Sequence, residues 1–232
     1  MIDQMNIRTP NGVFLVDVED AYIRNHMMAG RVYEHHIIND MLKPHVEKAK
    51  YIVDVGANIG CHCVSYAGIN PEATLWAFEP QKKLFDILSH NVAQNGHAGR
   101  FHLYNHGLGH EKAELEMNTM ASVEVQGGWN KGGLGIGKGG EKLRVETLDS
   151  LNLPGLDFMK IDVEGAEGLV IQGAAETIKK YKPAICFEHN SQTIDPTHVG
   201  VEHVPTPFEV LSKLGYKTYK YLDWENYIAL SI

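Results

Sequence analysis

Positive charge is in short supply. Lys and Arg total 21 against 29 Asp and Glu, a formal net charge of −8. No basic stripe is visible that would neutralise a phosphate backbone, so nucleic acid is not an expected partner. No apolar run approaches the ~18 residues of a membrane helix, and none is expected. The opening MIDQMNIRTPNG lacks both the basic region and the apolar core of a secretion signal; the expectation is a cytoplasmic protein. Cysteine is scarce. Cys61, Cys63 and Cys186 are odd in number and form no disulfide framework, which fits reduced thiols. Cys61-His62-Cys63 has no second pair at zinc spacing, so no metal is assigned there. No repeat of roughly 20–50 residues and no Pro- or Ser-rich linker divides the chain. The dinucleotide fingerprint G-x-G-x-x-G is also missing.

What is present suits a doubly wound α/β protein. A chain of 232 residues, 44% of them hydrophobic, can build one α/β domain with a buried core. The expected layout is a single domain over 1–232: an N-terminal hairpin and cover helices over 1–50, then the core over 51–232, carrying a glycine-rich insertion at 127–140. The organising stretch is YIVDVGANIG. A β-branched run, Tyr51-Ile52-Val53, leads to Asp54, then to Gly56, Asn58 and Gly60 and a helix start. Gly56 and Gly60 allow close approach to the backbone, and Asn58 tolerates the left-handed region. Asp54 suits a cofactor with a cationic amino-acid end better than a pyrophosphate. Thr74 to Phe78 reads as the next strand, with Glu79 at its end, about 20 residues beyond the glycine turn, where a carboxylate can hold a ribose. The two turns together point to S-adenosylmethionine rather than NAD.

Around this centre, Met5 to Val18 reads as a hairpin turning at Pro10-Asn11-Gly12. Ala21–Met28 and Tyr33–Leu42 read as helices broken at Gly30, with Glu34, His35 and His36 facing the cofactor cleft. Leu84–Asn95 is a helix and Phe101–Tyr104 a third strand; the loop after it, with Asn105 and Gly107, is placed to touch adenine. Ala113–Met117 alternates and pairs with Leu143–Thr147. Between them the glycine run is expected either as a mobile lid over the substrate or, preferred, as a hairpin tip disordered without substrate, with Trp129 and its lysines as contacts. Leu156–Val163 is a strand ending at Asp162, after which Glu164 to Glu167 opens a helix. Ala184–Glu188 is a strand with Glu188, His189 and Asn190 at its exit. Pro207–Leu214 is the last helix, and Lys217–Leu222 and Tyr227–Ile232 are closing strands.

With LDFMKIDVEGAE, VDVGANIG, AFEP and VETLDSL, the chain resembles the FkbM family of S-adenosylmethionine-dependent methyltransferases over roughly Gly30 to Asn190. The resemblance implies a class I methyltransferase (Rossmann-like) fold: a seven-stranded sheet, helices on both faces, the last strand antiparallel. It also implies O-methylation of a sugar, a glycan or another small hydroxyl compound. Asp54, Gly56, Asn58 and Gly60 are expected on the methionine end, Glu79 and Pro80 on the ribose side, and Glu34, Asn105, Gly107 and Asp162 also around the cofactor.

A sugar hydroxyl is a poor nucleophile while protonated, so a general base is needed. Asp162 is expected nearest the methyl group, with Glu188 or His189 taking the proton. No metal is assigned, although Asp162, Glu188 and Asn190 could imitate the oxygen ligands of a Mg²⁺-dependent, catechol-type enzyme. An NAD-dependent oxidoreductase and a non-catalytic binding module are rival readings from different functional classes. No N/D-P-P-[YF] segment, the mark of amino-group methylation, follows the fourth strand.

Overall fold

The structure, a computed structural model, describes residues 4–117, 123–125, 128–130, 132–190, 194–221 and 225–232, with backbone alone at 123–125 and 128–129. The strands are β1 (Gln4–Thr9), β2 (Gly12–Asp17), β3 (Tyr51–Val55), β4 (Thr74–Phe78), β5 (Phe101–Tyr104), β6 (Gly107–Leu108) and β7 (Ala113–Glu116). They continue as β8 (Val123–Val125), β9 (Gly128–Asn130), β10 (Lys142–Glu146), β11 (Phe158–Ile161), β12 (Ala184–Glu188), β13 (Tyr216–Lys220) and β14 (Asn226–Ser231). The α-helices are α1 (Ala21–Met28), α2 (Lys43–Val46), α3 (Cys61–Ile69), α4 (Lys82–Gln94), α5 (Glu167–Gln172), α6 (Ala175–Tyr181) and α7 (Pro207–Lys213).

The central sheet has seven strands in the order β13-β14-β12-β11-β3-β4-β5. Strands β5, β4, β3, β11 and β12 run parallel, and β14 lies antiparallel between β12 and β13. The strand order turns back between β3 and β11, and the crevice at such a reversal is where doubly wound sheets take ligands. Both faces are covered. Val53, Val55, Met159, Ile161 and Phe187 pack against residues of α5, α6 and α7. Ile52, Leu75 and Phe158 face the other way, toward Leu42, Val46 and Tyr66. This alternation is the period-2 pleat of a sheet buried on both sides.

The β1–β2 hairpin forms an outer layer over α3 and α4. Phe14, Val16 and Ile23 pack with Cys61, Val64, Leu84 and Ile87. Amide side chains of α4 and its end fix it: Asn91 Oδ1 accepts the Leu15 N–H at 2.6 Å, and Asn95 Oδ1 accepts the Val13 N–H at 2.9 Å. A second small sheet, β6-β10-β7, sits beyond the carboxyl ends of the core strands, with Leu143 opposite Leu115.

Two expectations change. The helix expected over Tyr33–Leu42 starts late, because Glu34 has φ 53°, and Ile37–Leu42 winds as a π-helix. The helix expected from Glu164 begins at Glu167; Glu164 and Gly165, with φ of 56° and 99°, form a tight turn first. In the glycine run, where it is described, β9 pairs with β8, and Ile136 bridges to Met117. Gly127, Lys131 and the Trp129 side chain lie outside the described residues, and Lys138 is exposed. Among the described residues, no helix is long and apolar enough to cross a membrane.

Candidate active site

A cleft of about 340 Å³ opens at the carboxyl ends of β3, β4, β11 and β12. Its floor comes from Gly56, Asn58, Phe78, Glu79 and Asp162; its roof comes from β7, β10 and the segment 132–136.

The glycine turn is held tightly against its neighbours. The N–H groups of Gly56 and Ala57 both donate to the Phe78 carbonyl at 3.0 Å. Gly56 has φ 80°, and a Cβ there would overlap the Asp162 carbonyl oxygen. Only glycine satisfies both constraints. Asn58 takes the left-handed conformation at φ 50°. Its N–H donates to Glu79 Oε2 at 2.9 Å, and the Gln81 N–H donates to Glu79 Oε1 at 2.8 Å. Burial pushes the Glu79 carboxyl up to about 7 in spite of these bonds. A carboxylate offers about four acceptor sites, so one on each oxygen stays open for the two hydroxyls of a ribose. The residues present therefore fit an adenosyl group. Asn105 braces the turn from behind, donating to the carbonyls of Glu79 and Pro80 at 3.0 Å each.

The second half of the site is acidic. Lys160 and Asp162 are two residues apart on β11 and its exit, and they share a face. Lys160 Nζ lies 3.0 Å from Asp162 Oδ2, with the lysine side chain 5% exposed. The parallel register pairs Lys160 with Asp54 on β3 and with Cys186 on β12. Continued by two residues, it sets Asp162 beside Glu188. Burial alone would raise Asp162, but the Lys160 ammonium and a hydrogen bond from Glu188 hold its carboxyl below the usual range. Burial and the Asp162 charge push Glu188 up, so Glu188 keeps the proton that it donates. Burial would lower Lys160, yet Asp162, Asp54 and Glu34 together raise it, and it stays charged. Glu164 is aimed into the cleft by its left-handed backbone. Burial, with Asp162 and Glu167 nearby, raises it to about 7, while a hydrogen bond with Asn190 opposes the shift.

Gly56, Asn58, Glu79, Pro80, Gly107, Asp162 and Glu188 line the cleft together; Asp54, Gly60, Glu34, Asn105 and His189 do not. Asp54 points into the layer between β3 and α3, where Cys63 Sγ donates to it at 3.1 Å. Gly60 caps α3 at φ 88°. Glu34 lies 3.4 Å from His62 Nε2. The His189 ring stands edge-on to Phe208 at 5.1 Å, so it is displaced from the acids. His35 and His36 meet edge-to-face, and neither lines the cleft. Residues 107–108, expected as loop, form β6 beside β10.

Sequence reasoning missed Tyr22 and Tyr33, packed edge-to-face at 5.5 Å at the cleft wall, and Glu225 from the last hairpin. It also missed Lys160, although a lone lysine inside the apolar strand LDFMKIDV demands a buried counter-charge. Among the described residues, no group of three or more His, Cys, Asp or Glu could hold a metal ion.

The sequence pattern of the Methyltransferase FkbM domain matches residues 54–221. Methyltransferase sdnD of Sordaria araneosa is 28% identical over 157 residues, which cover 54% of this chain and 61% of that protein. A solved FkbM methyltransferase from Methylobacillus flagellatus superposes with a TM-score of 0.53 at 18% identity, over 78% of this chain and 43% of the other. An O-methyltransferase from Bacillus cereus, solved in complex with S-adenosylhomocysteine, gives 0.51 at 13% identity, over 84% and 79% of the two chains. At these identities the structural likeness is one of fold. The chain spans less than two thirds of the length of sdnD and of the Methylobacillus protein.

Proposed function

The chain belongs to the Methyltransferase FkbM domain family, and from that premise we propose that it moves a methyl group from S-adenosylmethionine to a hydroxyl of a sugar, glycan or other small molecule. The observation that carries this reading is the pairing of two carboxylate environments in one cleft. Glu79 stands on the glycine-turn side with acceptor sites open, and Asp162 with Glu164 stands on the other.

When bound, S-adenosylmethionine supplies an activated methyl carbon, whose bond to sulfur breaks, leaving its electron pair on sulfur, as the acceptor oxygen bonds to the carbon. The protein's own residues have two tasks. The first is positioning: the Gly56–Gly60 turn and Glu79 hold the adenosyl end so that the acceptor meets the methyl in line. The second is proton removal. Glu164, raised to about 7, is half ionised near neutral pH, which is where a general base works best. Asp162 remains ionised beside Lys160 and lines the cleft as a hydrogen-bond acceptor whose charge the lysine balances. Glu188, already carrying its proton, orients Asp162 instead of accepting another. His189, turned toward Phe208, has no part in this scheme.

The metal-dependent version gains no support from the geometry, because Lys160 already compensates Asp162 at 3.0 Å. The test is a mass-spectrometric screen of sugars, glycosides and phenols with S-adenosylmethionine, in the presence of EDTA. A product heavier by one methyl unit, formed at an oxygen, supports the reading. Transfer only to nitrogen or only with added Mg²⁺ contradicts it.

A further inference from the structure

The described residues lining the cleft include five acidic side chains, Glu79, Asp162, Glu164, Glu188 and Glu225, and no Lys, Arg or His. The cation nearest to them, Lys160, is buried behind Asp162 and shared with Asp54 and Glu34. An incoming phosphate or carboxylate would find no cation to pair it among the described lining residues.

Beside those acids the wall turns apolar. Val163 and Ala166 follow Asp162 in the chain. Leu115 from β7 and Ile136 from the crossing segment pack on the cluster that contains Ala166 and Leu169. A small hollow of about 30 Å³ continues this wall between Leu115, Ile136 and Ala166 toward Val199. These side chains gather beside the turn that follows Asp162. A free sugar pressed here would turn unsatisfied hydroxyls toward hydrocarbon, at a cost in binding.

We propose that the acceptor carries an apolar body next to the hydroxyl it gives up and bears no negative charge. This rests on the methyl-transfer reading above and narrows its substrate class. The apolar body lies along Leu115, Ile136, Val163 and Ala166, and the hydroxyl reaches the acids at the ends of β11 and β12.

The test is calorimetry on the full chain saturated with S-adenosylhomocysteine, titrated in turn with octyl β-glucoside below its micelle concentration, glucose and glucose 6-phosphate. The three probes share hydroxyls and differ in apolar body and charge. Octyl glucoside should bind at least ~10-fold more tightly than glucose, since several CH₂ groups leave water, and glucose 6-phosphate should give no heat of binding. Ile136→Asp should remove most of the octyl glucoside affinity while S-adenosylhomocysteine still binds. Leu115→Asp should do the same and serves if the first variant does not fold. Glucose binding as tightly as octyl glucoside, measurable binding of glucose 6-phosphate, no binding of octyl glucoside, or binding that survives both substitutions each overturns the proposal. Failure of S-adenosylhomocysteine itself to bind overturns the methyl-transfer reading, and this proposal with it.

Discussion

The ammonium of Lys160 lies 3.0 Å from the carboxylate of Asp162, and Asp54 is its register partner on the neighbouring strand. One buried cation thus serves carboxylates on two strands, and it does so directly beneath the cleft. Breaking such a pair leaves uncompensated charge in the interior, which typically costs ~3–5 kcal/mol. Lys160→Met should therefore be destabilised by about that much at pH 8 in urea denaturation. The deficit should shrink at pH 5, where the orphaned acids can take up protons. Wild-type stability at pH 8 would contradict this role.

Glu164 gives a kinetic prediction. Its carboxyl is raised to about 7, and a base works only when ionised, so kcat/KM should rise with pH through about 7. Glu164→Gln should lower turnover by ~10²–10⁴-fold and flatten that limb of the profile, with S-adenosylhomocysteine binding spared. An unchanged pH profile would remove Glu164 from the chemistry.

Gly56 ties the turn to the strand exit. Gly56→Ala must place a Cβ against the Asp162 carbonyl at a φ of 80°. Strain of ~1–3 kcal/mol from the backbone alone, plus the clash, should lower the unfolding midpoint and abolish cofactor binding. Retention of wild-type affinity would show that the turn does not cradle the ligand.

Burial raises Glu79, Glu164 and Glu167 to about 7 each, from an ordinary 4.5. A carboxyl raised in this way binds its proton more tightly folded than unfolded. Its contribution is present in full below pH 4.5 and is lost as the pH climbs through about 7. The ligand-free protein should therefore melt at a lower temperature at pH 8 than at pH 5. Glu79→Gln, which cannot ionise, should show a shallower decline; an identical slope would contradict the assignment.

Much of this architecture was legible in the sequence where a strong local signal agreed with the tertiary pattern. Pro10-Asn11-Gly12 marked the β1–β2 turn, YIVDVGANIG the β3–α3 turn, and the alternation of 113–117 and 143–147 the pairing of β7 with β10. The seven-stranded sheet with its reversed last strand followed from the family resemblance. What escaped depends on partners distant in the chain. Lys160 gains meaning only once β3 brings Asp54 alongside it. Tyr22 and Tyr33 reach the cleft because α1 packs against β9 and the β1–β2 hairpin, which no periodicity encodes. Asp54 sits one pleat behind the cleft, not in it, because its side chain follows the face of Ile52 and meets Cys63 on α3. His189 was read as an alternative base to Glu188 at the same strand exit, yet successive residues of an extended chain point to opposite sides, and its ring stands against Phe208. Helix α6 left little trace: it is short, and only Thr177 and Ile178 are buried in it.

Asn58 and Glu79, neighbours across the glycine turn, are the pair assigned to grip an adenosyl group, and isothermal calorimetry of S-adenosylhomocysteine against the wild type and Glu79→Ala tests this most directly. The wild type should bind at one site, and Glu79→Ala should bind at least ~10-fold more weakly, the loss of about 1.4 kcal/mol expected when hydrogen bonds to a carboxylate go. Equal affinity in the two proteins, or no binding by the wild type, would contradict it.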